Sequence, residues 1–156
     1  MLTTQLQYLQ WANAIYFDYC EQLTDEQLEF KLEGFGKSIH DILEHMLEVY
    51  WGWDRLISST DQDLPEEMSV DQIINRLRTY DQQFIEVSQG EIDQEHTLQF
   101  SDDDKPVITT TANILFNFVT HNAYHRGQLA ILLRVLGFDT ITETDFNPYI
   151  YELGQQ

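Results

Sequence analysis

The sequence predicts an all-α protein, a four-helix bundle with a long crossover between its third and fourth helices. Three observations predict it. Apolar residues recur at helical spacing in four long segments. Glycine and proline are scarce, 7 and 3 in 156 residues, which disfavours a many-turned sandwich or barrel. One connection, of roughly 20 residues between the third and fourth segments, is long enough to carry a helix across the end of a bundle. The length suits one domain, and an apolar content of 42% can supply its core. Residues 1–156 are therefore read as a single bundle domain.

The first helix is expected from about Leu2 to Glu21, with Leu2, Leu6, Leu9, Ile15 and Tyr19 near one face. A box-like Thr24-Asp25-Glu26-Gln27 adds a short helical turn. The second helix opens at the capping box Ser38-Ile39-His40-Asp41, after Gly34 and Gly36. Its stripe of Ile39, Ile42, Met46, Val49, Trp53 and Leu56 steps by threes and fours, and it ends in the polar stretch 58–67. The third helix starts at a second box, Ser69-Val70-Asp71-Gln72. It runs through Ile73, Leu77, Phe84 and Val87 and breaks at Gly90. Residues 96–100 and 106–110 alternate apolar with polar around Ser101-Asp102-Asp103-Asp104, the pattern of a small β-hairpin inside the crossover. The fourth helix follows Thr109–Thr111 and continues to Leu136, with Gly137 as a left-handed cap. From Phe138 onward the chain contains Pro148 and has no clear period, so no element is expected there.

Charge narrows the function classes. Asp and Glu number 27 against 8 Lys and Arg, a formal net charge of −19. Such a surface lacks the cations that neutralise phosphates, which argues against nucleic acid, and anionic membranes repel it. There is no apolar run of about 18 residues, and the N-terminus has neither a basic nor an apolar targeting region. A single cysteine, Cys20, excludes an internal disulfide and fits a reducing compartment. A cytoplasmic protein is expected. Cys20 is read as a small apolar filler, and Trp11, Trp51 and Trp53 as core or interface packing.

Histidines break the plain bundle pattern. The fourth segment reads Ile114, Phe118, His121, His125, Leu129, Leu132, Leu136, so two imidazoles occupy seam positions that would otherwise be Leu or Ile. Residues four apart share a helix face. Two imidazoles in an apolar seam are costly unless their nitrogens are satisfied, by buried carbonyls, by a carboxylate or by a divalent cation. The H-x-x-x-H pairing favours the cation. On the second helix His45 falls roughly 70° from the seam centre, on the flank level with Leu56. His40 falls roughly 150° away and should face water. His96, beside the hairpin, is expected to be exposed. His45 is thus the natural third ligand, although its spacing alone equally fits a half-buried surface histidine, and three histidines with an open position have the form of a catalytic metal site. Asn122 stands where an H-E-x-x-H protease carries its glutamate base, which excludes that class. No other base stands out by spacing, which weakens a hydrolase reading. Asn117, Glu48 and Asp54 are candidate outer partners for the histidines, each more simply a solvated helix-face residue.

These residues fall in three motifs. Gln10-Trp11-Ala12-Asn13 lies on the first helix, Ser38-Ile39-His40-Asp41-Ile42-Leu43-Glu44-His45 on the second, and His121-Asn122-Ala123-Tyr124-His125-Arg126-Gly127-Gln128 on the fourth. In this order they resemble the W-A-N, S-I-x-x-x-L-x-H and H-x-x-x-H-R-G-Q segments of the DinB-like superfamily of small bacterial bundle metalloproteins, which includes the YfiT-like proteins. The resemblance covers nearly the whole chain. It implies a bundle with a long crossover, a homodimer, and one divalent ion, nickel or zinc, on His45, His121 and His125. Arg126, Gly127 and Gln128 are read as packing or outer positions, with Arg126 pairing a carboxylate from another helix. The resemblance further implies a small-molecule substrate and a metal-dependent transferase, or an isomerase, working with a low-molecular-weight thiol. The alternatives are a non-catalytic bundle whose metal is structural or sensory, and an interaction module whose histidines are core polar residues.

Overall fold

The computed structural model describes residues 1–99, 101 and 103–155. Its elements are α1 (Leu2–Cys20), α2 (Asp25–Leu28), α3 (Ile39–Ser58), α4 (Val70–Val87), β1 (Glu95–Leu98), β2 (Val107–Thr110), α5 (Thr111–Val135) and α6 (Phe146–Leu153). Four of these form the bundle: α1 packs on α4 and α5, and α3 packs on the same two. The crossover after α4 therefore carries the chain to the diagonally opposite helix. Among the described residues no helix is long and apolar enough to cross a membrane.

Local chemistry sets the helix starts. Thr24, Ser38 and Ser69 each close a full capping box with Gln27, Asp41 and Gln72. At Ser38 its own N–H donates to Asp41 Oδ2 at 2.8 Å, and Asp41 N–H donates back to Ser38 Oγ at 3.0 Å. That backbone bond, with Lys31 2.9 Å from the carboxylate, holds the Asp41 carboxyl down at about 2. The end of α5 is equally local. Gly137, at φ 106°, donates to Arg134 O, and Phe138 N–H reaches Leu133 O. This double bond to the last turn requires the left-handed residue that glycine supplies without strain.

The crossover holds the expected hairpin, antiparallel from Glu95↔Thr110 to Leu98↔Val107. Of its polar turn, expected at Ser101–Asp104, Asp102 lies outside the described residues, as does Phe100 at the end of the first predicted strand. Thr111 and Ala112 N–H donate to Gln94 O and Ile92 O, so the hairpin is tied to the first turn of α5. His96 is not exposed as expected. It is 6% accessible, and its Nε2 sits 2.8 Å from Thr111 Oγ1, a tertiary pairing that strand alternation alone does not reveal.

The core differs from the predicted stripes by a rotation. On α3 the buried residues are Ile39, Ile42, Leu43, Met46, Leu47, Tyr50 and Asp54, so the seam turns toward Tyr50. Val49, Trp53 and Leu56 lie at its half-buried edge. On α5 the seam centre is Asn122, with His125 buried and His121 half-buried at the flank. The chain also forms α6, where no element was expected. Pro148 stands in its first turn, where backbone N–H groups have no helical partner and proline costs little. Tyr149 of α6 packs beside Tyr8 and Trp11, and Trp11 Nε1 donates to Glu152 at 2.9 Å. Cys20 is a buried filler whose thiol burial pushes up to about 12.

Candidate metal centre

The edge rotation of α3 and the flank of α5 bring three imidazoles together. His45, His121 and His125 each offer a ring nitrogen, and these atoms lie within 4.8 Å of one another. Ring centroids are 5.5 Å apart for His45 and His121, 5.1 Å for His45 and His125, and 4.4 Å for His121 and His125. The Nε2 atoms of His121 and His125 face each other at 3.0 Å. His125 Nδ1 donates to Gln128 Oε1 at 2.7 Å, which leaves its Nε2 as a lone pair directed into the cluster. Glu48 Oε2 stands 3.9 Å from His45 Nδ1.

Burial disfavours protonation of His121 and His125. Burial pulls the His121 imidazole down to about 4, with His125 and His45 adding to it. Burial also lowers His125, against the opposing Gln128 hydrogen bond. Neutral imidazoles with converging lone pairs are the form that ligates a cation. Three imidazoles are a donor set that fits a divalent cation.

The other histidines stay apart from it. His40 is half-buried against Glu29, and His96 is held by Thr111. Of the candidate outer partners, Glu48 is beside His45 and Asn117 lies near His121 on the same face of α5. Asp54 is not solvated as expected. It is 7% accessible and accepts hydrogen bonds from Ser58 at 2.8 Å and Gln83 at 2.6 Å.

Behind the histidines runs a buried polar network that the sequence reading missed. Arg126 donates to Asn13 Oδ1 at 2.9 Å and to Tyr8 Oη at 3.2 Å, rather than pairing directly with a carboxylate. Asn13 Nδ2 donates to Asp81 Oδ2 and to Asn122 Oδ1, each at 3.1 Å. Tyr50 Oη donates to Asp81 Oδ1 at 2.7 Å, and Asn122 Nδ2 to Phe118 O at 2.8 Å. Each of α1, α3, α4 and α5 contributes to it. Asn122 lies between His121 and His125, so the network fixes the rotation of α5 that presents both rings. One signal was available in the sequence: Asn13, Tyr50 and Asp81 are polar residues at helical core spacing.

A bundle of four helices that brings three imidazoles together on the facing flanks of α3 and α5 defines a helical protein with a possible three-histidine metal site. Residues 1–152 match the DinB family, and the chain belongs to that family. It is 26% identical over 133 residues to the uncharacterized protein YizA of Bacillus subtilis, covering 81% of this chain and 82% of that one. To the protein DinB of the same organism it is 24% identical over 157 residues, covering 93% and 91%. Its fold is similar to the crystal structure of the DinB-like protein YjoA from Bacillus subtilis, with a TM-score of 0.69 at 13% identity, covering 90% of this chain and 97% of that one. A DinB-family structure from Exiguobacterium sibiricum 255-15 gives 0.64 at 16% identity, with the same coverage.

Proposed function

We propose that the chain is a divalent-metal-dependent enzyme in which His45, His121 and His125 hold one nickel or zinc ion. We further propose that it transfers a group to or from a low-molecular-weight thiol. The metal reading is carried by one observation, the convergence of three imidazole nitrogens within 4.8 Å. The thiol reading draws its support from the family resemblance. A bound ion would supply Lewis acidity and favour the thiolate, the nucleophilic form of a thiol. The chain's own residues do the rest. Gln128 orients His125 through its Nδ1 proton, and burial keeps His121 neutral and ready to ligate. His45 remains partly open to solvent, which leaves a side from which a small molecule can approach.

Elemental analysis of tag-free protein tests the reading. About one nickel or zinc ion per chain is expected, lost in His121→Ala with helicity retained. Metal-free wild type after purification with either ion present would overturn it. Glu48, 3.9 Å from His45, favours a second reading in which a carboxylate closes the site and the metal is structural. Four protein ligands in an X-ray absorption spectrum would select that one.

The same reading includes a homodimer. It is supported by an exposed apolar stripe on α5, where Tyr124, Ile131 and Val135 share one face. Sedimentation of the wild type as a dimer and of Ile131→Asp as a monomer is the expected result. An unchanged mass for the variant would locate the interface elsewhere.

A further inference from the structure

Beside the three-histidine cluster lies a groove of about 570 Å³ between α3 and α5, closed on one side by β1. Val49, Trp53 and Leu56 form one wall, Leu98 the end, and Asn117 and His121 the other wall. Among the described residues no Asp, Glu, Lys or Arg lines it, in a chain that carries 27 Asp and Glu. On the other side of the cluster, a smaller cavity of about 210 Å³ is bordered by His45 and His125 together with Lys37, Asp41 and Gln128. That smaller cavity is mixed in character, lined also by Ile42 and Tyr124, and it carries the charged Lys37 and Asp41, whereas His121 faces the apolar groove.

Gly52 explains how the groove stays open. It lies in the interior of α3, between Trp51 and Trp53, where glycine costs about 1 kcal/mol against alanine. It does not have a positive φ, and a Cβ built there would meet no atom of the described residues within 4 Å. Neither a turn nor a close helix approach requires a glycine at this position. What a side chain would occupy is the groove, which Gly52 also lines.

We propose that this groove binds an uncharged, largely apolar small molecule, laid against Trp53 with one end at His121, and that Gly52 sets the size it admits. A charged group entering the groove would lose hydration and find no partner of opposite sign among the described residues of its walls. An apolar ring gains from the same surface. The cavity also lies within the range usual for small-ligand sites. The assignment of this molecule as substrate rests on the metal-centred reading above; the groove's selectivity does not.

The test uses two dyes with one ring system, neutral N-phenyl-1-naphthylamine and its sulfonated counterpart 8-anilino-1-naphthalenesulfonate. Fluorescence titrations are run on wild type, Gly52→Leu and His121→Ala, with metal content measured on each sample. The neutral dye is expected to saturate at about one per chain, with the sulfonate at least about tenfold weaker. Gly52→Leu should weaken the neutral dye by about tenfold or more while its melting temperature and metal content match or exceed the wild type. Equal dye affinity in Gly52→Leu, or a sulfonate that binds as tightly, would overturn the proposal. Saturable neutral-dye binding to a protein that takes up no metal leaves the groove standing and removes the metal reading. Full metal occupancy without dye binding does the reverse.

Discussion

Asn13→Leu is expected to lower folding stability by about 3–5 kcal/mol, as much as emptying a buried leucine site, although the number and branching of the side-chain heavy atoms do not change. The reason is the number of groups that lose a partner. Asn13 is the acceptor for Arg126 and the donor to Asp81 and Asn122, and all four residues are buried. Arg126 cannot shed its proton, so without Asn13 a guanidinium is left in the core with Tyr8 as its one described hydrogen-bond partner. Urea denaturation gives the size of the loss. A loss below about 1 kcal/mol would mean that water or a rearranged side chain satisfies the network instead. The variant has a second expected effect. Because the network fixes the rotation of α5 about Asn122, His121 and His125 lose their fixed presentation, and metal affinity should fall even in the folded fraction.

The same network marks where sequence reasoning stops. The three capping boxes were legible because each is closed within four residues, and Gly137 because its cap is equally local. The convergence of His45 with His121 and His125 was legible because a histidine pair read as seam residues on one helix and a flank position of known phase on the facing helix can be matched across a bundle, although the structure moves His121 to the flank. The seam itself was misjudged where polar residues occupy it. Asn13, Tyr50, Asp81 and Asn122 satisfy one another across four helices, and apart from the bond of Asn122 to Phe118 O their described side-chain partners lie on other helices. A hydrophobic period therefore slid to Val49, Trp53 and Leu56, which are the groove edge. The burial of His96 and Asp54 has the same cause, a hydrogen-bond partner distant in sequence or on another face. Pro148 was weighed as a breaker, although a first-turn proline leaves every bond of α6 intact.

Asp81 gives the other large effect, read as a change of stability with pH. Complete burial raises its carboxyl to about 7, against the lowering pull of Tyr50, Asn13 and Arg126. In an unfolded chain the same group titrates near 3.9. Below about pH 4 both states hold the proton, and the stability associated with Asp81 is fully present. Between about 4 and 7 the folded state keeps a proton that the unfolded state has released, so stability falls as pH rises. Above about 7 both are ionised and the loss is complete, on the order of 4 kcal/mol. His121 and His125 are shifted downward, so they favour the folded state as pH rises through the same window and mask part of the slope. The measurement is therefore a difference, Asp81→Asn against wild type, by urea denaturation in chelator at pH 4.5 and pH 8. Asparagine mimics the protonated acid, so the two proteins should be nearly equal at the lower pH, and the variant should gain by up to roughly 4 kcal/mol at the higher. The opposite sign, a variant that loses ground as pH rises, would mean that Arg126 holds Asp81 ionised through Asn13. The core would then carry a true charge pair bridged by one amide.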